Sequence, residues 1–418
     1  SAGATGAWNT PVSAFQSASV TCGDTVQFYT GTWVTNNDGT NSVIDGGFTI
    51  TTNTSTCAGN PILYKAANNQ TPELRNCPLG STSWAQCARP TLNLGDKSHI
   101  VIDGFKIVGV LWNSPATPSG YNGTINTLRK GIVIRNNEIT VGWALAGNGD
   151  WAGVQISWTD SPWLINNYVH DITPDGLTGS GAQAAVSCFK FHASYQYLTE
   201  FNTCRNVSTA NPVGGSLAGG FDDRQDANNG VLRYNWCQNV DTCIRVQNSA
   251  PLLFTCASGG QAYGNIMIAR ASSTKPGIKI DASPVCDYTF YNNTVVNFHT
   301  CLNVTPTPGN EQVDGVQWYN NICSGILNRN VLSFATTTAD IDKEDYNAYS
   351  SAADYQTSTG TQTSLTSYLA AIPARNIHSG EVNCLFISST NFHLQGGSPC
   401  KAGQSSTGRV GGEVGGST

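Results

Sequence analysis

From Gly219 the chain reads GGFDDRQDANNGVLRYN, and residues 222 to 226 hold Asp222, Asp223, Arg224 and Asp226. Only 11% of the residues are charged, so three carboxylates and a guanidinium this close need a reason. Carboxylates gathered in this way can ligate a hard, oxygen-seeking cation, and Ca2+ is the one expected here, with Asp222, Asp223 and Asp226 as ligands. Alternatively, Asp222 with Asp223 or Asp226 can flank a glycosidic bond as the carboxylate pair of a hydrolase.

The cluster does not stand alone. Segments with the pattern apolar, any, apolar recur as VQIS from Val154, FKFH from Phe189, FDDR from Phe221, IRVQ from Ile244, IKID from Ile278, LNVT from Leu302 and LSFA from Leu332. Side chains alternate between the two faces of a strand, so each segment turns its second and fourth residues outward. One outward column is then Gln155, Lys190, Asp222, Arg245, Lys279, Asn303 and Ser333, and the other is Ser157, His192, Arg224, Gln247, Asp281, Thr305 and Ala335. If these strands stack at about 4.8 Å, acids and bases from neighbouring strands collect on one face. A salt-bridge ladder that only stabilises the sheet would look the same. Asp223 is different, because the register points it inward, where an uncompensated carboxylate is costly. A metal ion, Arg224 reaching back through a bulge, or a turn after Asp222 would each compensate it.

What positions these segments is a repeat. The form apolar, any, apolar, any, Asn occurs with its Asn at 137, 167, 202, 235, 265, 293 and 321, at spacings of 30, 35, 33, 30, 28 and 28 residues. HIVIDGFKI adds an earlier copy with Asp103 in the Asn place. Units of this length with several short strands and no helix suit a single-stranded, right-handed parallel β-helix, each coil bonded to the next. Asn suits the repeat because it tolerates the left-handed conformation of sharp turns and because stacked carboxamides can bond from coil to coil. The expected organisation is a solenoid over 1–335, N-terminal cap included, with 336–418 packed on or capping it. Cys204 and Cys237 each lie two residues after a ladder Asn, which predicts a disulfide or contact between adjacent coils.

Composition agrees with an all-β class: of 418 residues 39% are hydrophobic and 44 are Gly, and amphipathic helical periodicity is almost absent. The net charge of −6 and the lack of a basic patch exclude a nucleic-acid binder. The 14 Cys, without zinc-finger spacing, read as disulfides formed in an oxidising compartment. No apolar run is long enough to span a bilayer, and the start at SAGATGAW, without Met, reads as a mature secreted chain. The expected location is extracellular or at the cell surface.

The Asn repeat, the opening GDTVQFYTGTW and NPILYKAANNQTPEL, and the closing NIHSGEVNCLFISSTNFHLQGGSPCKAG together resemble the right-handed parallel β-helix superfamily that includes pectate and alginate lyases. Within it, Asp222, Asp223 and Asp226 are similar to the Ca2+-binding acidic cluster of family 9 polysaccharide lyases, and Lys279 in PGIKID to the lysine that removes the sugar C5 proton. The segment AQAAVSC, ahead of the cluster, is neutral where that family carries an acid. The resemblance implies β-elimination on a uronate-containing glycan, with Lys279, Lys190 and Arg245 at the chemistry and His192, Arg224, Gln247, Asp281 and Trp158 contacting substrate. Trp158, just past outward Ser157, is the candidate ring for sugar stacking, whereas Trp163 lies on the apolar repeat and is expected in the core. Against these enzyme readings stands a structural one: a disulfide-rich solenoid of low charge can self-associate end to end into an extracellular filament or layer.

Overall fold

A computed structural model describes residues 11–34, 48–52, 57–75, 91–113, 124–140, 151–172, 186–207, 218–224, 228–247, 257–271, 273–281, 284–305, 313–325, 330–334, 339–349, 354–357, 360–371, 378–388 and 391–401. The chain divides into two compact units, residues 1–198 with 202–218 and residues 199–201 with 219–418. Each is a stretch of right-handed parallel β-helix built from three sheets of short strands.

In the first unit, Ile62–Ala66, Ile100–Asp103, Ile132–Arg135 and Trp163–Ile165 follow one another in the first sheet. Lys106–Val108, Glu138–Thr140, Tyr168–Ile172 and Thr203–Val207 do so in the second. Leu111–Trp112, Trp151–Ser157 and Val186–His192 do so in the third. In the second unit the first sheet runs Val231–Arg233, Gln261–Tyr263, Thr289–Tyr291, Val313–Tyr319 and Ala339–Asp345. The second runs Trp236–Val240, Ile266–Ala269, Thr294–Val296, Ile322–Ser324 and Ala348–Tyr349. The third runs Ala218–Arg224, Thr242–Gln247, Pro276–Asp281, Thr300–Thr305, Asn330–Phe334 and Asp354–Thr357. All these pairings are parallel, and the strands of Ala339–Asp345, Ala348–Tyr349 and Asp354–Thr357 carry the coil past residue 335, where the C-terminal segment was expected to begin.

The Asn repeat marks the corner between the first and second sheets. Carboxamide bonds run from Asn137 to Asn167 at 3.0 Å and from Asn167 to Asn202 at 2.9 Å in the first unit. In the second they run through Asn235, Asn265, Asn293, Asn321 and on to Asn347 at 3.0, 2.9, 3.1 and 3.3 Å. The left-handed residue is not the ladder Asn but the one before it, as at Asn136, Asn166, Phe201, Tyr234, Asn292, Asn320 and Tyr346. That residue makes the turn, which leaves the following carboxamide buried and free to bond inward. An aromatic residue in this conformation costs about 1–2 kcal/mol; Phe201 and Tyr234 offset part of it by stacking at 5.5 Å.

Disulfides pin the corner between the second and third sheets. Cys204 is bonded to Cys188 and Cys237 to Cys243, so the expected Cys204–Cys237 bridge does not form. Cys301–Cys323 repeats the arrangement. Neighbouring coils present side chains side by side and parallel, whereas two sheets meeting at a corner aim theirs at each other, as a disulfide requires. Gly220 is needed beside Cys237–Cys243, since a Cβ there would lie 2.6 Å from Cys237 Sγ.

Further elements extend both ends of the described chain. Helix Pro11–Phe15 buries Phe15 against Phe28, Phe48, Tyr64 and Phe105 inside the opening coils. At the other end Asp354–Thr357 pairs antiparallel with Gly360–Gln362, and Ala348–Tyr349 pairs with Gly380–Glu381.

Candidate active site

The third sheet of the second unit carries the charged columns, in the register that the apolar pattern predicts. Phe221, Ile244, Ile278 and Leu302 are successive partners and are buried. The outward neighbours therefore align as Asp222, Arg245, Lys279 and Asn303, and as Arg224, Gln247, Asp281 and Thr305. Consecutive parallel strands keep each pair one strand spacing apart, about 4.8 Å.

The charges close into two ion-paired groups. Arg224 Nε lies 2.8 Å from Asp222 Oδ2 within one strand. Asp281 Oδ2 accepts from Lys279 Nζ at 2.8 Å and from Arg245 Nη2, one coil away, at 2.9 Å. Burial pushes the Asp281 carboxyl up, but Lys279 and then Arg245 outweigh it and hold the carboxyl below its ordinary 3.8. The accessible edge of the cluster is the Lys279–Asp281 pair, with side chains 22% and 21% exposed, while Arg245 at 11% and Asp222 at 3% lie deeper. Among the described residues nothing hydrogen-bonds Asp222 Oδ1 or Gln247 Oε1, both of which are buried.

Asp223 does point inward and is buried. It has a partner that the sequence did not suggest: the hydroxyl of Tyr288, itself in the core, donates to Asp223 Oδ2 at 3.1 Å. Asp222 and Asp223 thus face opposite sides of one strand and do not converge on a shared point. They can neither flank one glycosidic bond together nor act together as ligands of one Ca2+, which needs six or more converging oxygens. Asp226 lies outside the described residues. Among the described residues no cluster of three or more His, Cys, Asp or Glu has the arrangement to hold a metal ion.

Lys190, His192 and Trp158 belong to the first unit. Gln155 pairs with Lys190 and Ser157 with His192, as the pattern predicts. Gln155, Ser157 and Lys190 are nevertheless buried although their strand face points outward. The two tryptophans reverse the expectation. Trp158 is only 6% exposed, because the chain turns there with φ 52 and the ring packs edge-on to His192, whereas Trp163 is 48% exposed. Trp163 begins its strand with the pattern exposed, buried, intermediate, so the apolar alternation of that copy starts one residue later, at Leu164.

The outer face of the first sheet carries a second feature. In the second unit, Glu200, Arg233, Tyr263, Tyr291 and Tyr319 each sit two residues before a ladder Asn, on the outer face of the first sheet. Tyr263 stacks on Tyr291 at 4.6 Å and Tyr291 on Tyr319 at 5.3 Å. Arg233 closes one end through Glu200 and the Tyr263 hydroxyl, and Lys343 Nζ sits 4.0 Å from the Tyr319 ring centroid at the other. The repeat itself held this signal, since between Asn202 and Asn321 its Asn-minus-two position changes from charged to aromatic.

No protein-family model matches the chain, and no curated protein matches it. Solved structures similar to it include the pectate lyase Pel9A, at 14% identity and a TM-score of 0.49 over 91% of this chain and 83% of that one. The PL6 family alginate lyase AlyGC aligns at 11% identity and 0.46, over 97% of this chain and 56% of that one. PfbA, a surface adhesin of Streptococcus pneumoniae, aligns at 9% identity and 0.44, over 82% and 84%. By its own strand registers, the chain has the right-handed parallel β-helix fold that its Asn repeat predicts.

Proposed function

We propose that this protein is a secreted, carbohydrate-active β-helix that binds uronate-containing glycans on the third sheet of its second unit and cleaves them by β-elimination. The observation that carries this reading is the pair Arg245 and Lys279, partners in register on successive coils, which converge on a single carboxylate oxygen. Two converging cations are what a uronate carboxylate needs to have its charge neutralised, and neutralisation acidifies the neighbouring C5 proton. In the step itself Arg245 alone keeps the carboxylate neutralised, while Lys279, having released one proton to solvent, takes the C5 hydrogen as a neutral amine. The electron pair forms the C4=C5 double bond, the C4–O bond breaks, and the departing oxygen takes a proton from water. Arg224 and Gln247 extend the polar face along the coils.

The disulfides fit an oxidising, extracytoplasmic compartment. Among the described residues no helix is long and apolar enough to cross a membrane. End-to-end assembly has less support than catalysis, since Phe15 packs into the opening coils at one end.

The test is incubation with a panel of polyuronates, with and without chelator, read by the ultraviolet absorbance of the unsaturated product. Wild-type protein yields product and Lys279→Ala yields none. The melting temperature of Lys279→Ala stays close to wild type, because a partly exposed ion pair contributes about 0–1 kcal/mol. If no polyuronate gives unsaturated product, or if Lys279→Ala remains fully active, the reading is wrong.

A further inference from the structure

We infer that Asp281 is a built-in occupant of the carboxylate subsite, which a substrate uronate must displace before it can bind; this rests on the glycan-binding reading of the same face. A single oxygen, Asp281 Oδ2, takes both the Lys279 ammonium and the Arg245 guanidinium, at 2.8 and 2.9 Å. Of the three cations aligned on this face, Arg224 is engaged by Asp222 within its own strand, so the two that converge are the two that Asp281 holds.

The chemistry at that point is the chemistry of a bound uronate: a carboxylate oxygen clamped between a planar fork and an ammonium. Asp281 sits two residues from Lys279 on the same strand, and its side chain is as accessible as the lysine's. An entering carboxylate therefore reaches the clamp from solvent on the side where Asp281 lies. The internal carboxylate is always present at high local concentration, so a lone small carboxylate competes poorly. A glycan that adds contacts along neighbouring coils competes well. Asp281 thus selects for polymer over stray carboxylates, and it does so by opposing every anion that enters.

Removing this competitor should tighten binding. Galacturonate and mannuronate monosaccharides, which have no glycosidic bond to break, are titrated by NMR into wild-type protein, Asp281→Asn and Asp314→Asn. Asp314 is an exposed acid on the first sheet, so its variant loses the same charge away from the clamp. The expected result is a dissociation constant about fivefold lower for Asp281→Asn, with Asp314→Asn unchanged. Asp281→Ser serves as a second variant whose short side chain cannot bridge the two cations, and it should behave as Asp281→Asn does. Equal gains in Asp281→Asn and Asp314→Asn would reduce the effect to net charge and overturn the inference. Unchanged or weaker binding in both Asp281 variants, while wild-type protein still cleaves polyuronates, would overturn it and leave the proposed function standing. Absence of both binding and cleavage in every chain would overturn the two together.

Discussion

The hydroxyl of Tyr288 donates to Oδ2 of Asp223 across 3.1 Å in the interior of the second unit, with both side chains sealed from solvent. A carboxylate in such a place survives only through its partners. Tyr288→Phe keeps the ring that stacks on Phe290 at 4.8 Å and removes only the donor. The variant should lose about 1–3 kcal/mol of unfolding free energy, the cost of an abandoned buried acceptor. Denaturant titration measures it, and an unchanged midpoint would mean that the phenol does not support Asp223.

That partner could not be read from the sequence, and the reason is general to a coiled fold. Alternation along a strand fixes which way Asp223 points, and the apolar columns from Phe221 to Leu302 fix what lies beside it one coil away. The interior is shared by three sheets, however, and Tyr288 reaches Asp223 from the segment that enters another sheet. Register along a sheet is a sequence property; contact across the interior depends on how the corners turn. The same distinction separates the Asn ladder, whose bonds follow the repeat, from the cysteines, whose bonds cross from one sheet to the next at a corner. Trp158 failed for a related reason: it occupies a left-handed corner, where the two-residue alternation of the preceding strand no longer applies.

The Asn ladder makes its own prediction. Asn265 accepts through Oδ1 from both the backbone and the side chain of Asn235, and its Nδ2 donates to Leu232 O and to Asn293 Oδ1. Truncation to Ala removes the acceptor of the Asn235 backbone amide in the interior. A lost buried bond of this kind costs about 1–3 kcal/mol, so Asn265→Ala should destabilise by about that much. Asn265→Asp keeps an acceptor for Asn235 but loses the donor, and chemical denaturation should rank it between the two.

The tyrosine stack predicts an alkaline transition. Burial first, then the neighbouring phenols Tyr263, Tyr319 and Tyr234, push Tyr291 up from 10.0 to about 12, with Arg233 opposing. A raised phenol keeps its proton longer in the folded protein than in the unfolded one. Its contribution to stability is therefore complete below pH 10 and is lost as the pH rises towards 12. Burial also raises Tyr319 and Tyr64, so phenolate absorbance should show a late-titrating group of tyrosines from which Tyr291→Phe removes one, and the same substitution should flatten the fall in stability over that range.

Asp281 titrates in the opposite sense. Its carboxyl is held below 3.8 despite burial, by Lys279 and Arg245, so its ion pairs contribute fully above that pH and are lost as the pH falls through the lower folded value. Wild-type protein should then be more stable than Asp281→Asn by about 1 kcal/mol at neutral pH, since the pairs are partly screened by solvent. The difference should shrink progressively below pH 3.8. Together with the binding experiment this gives Asp281 a double signature. If it occupies the clamp in place of substrate, one substitution must weaken the fold and strengthen uronate binding, because the same two cations are released from one carboxylate to another. A variant that is less stable without binding better would leave Asp281 as a strut between two coils. A variant that binds better with no loss of stability would mean that Lys279 and Arg245 do not depend on it in the free protein.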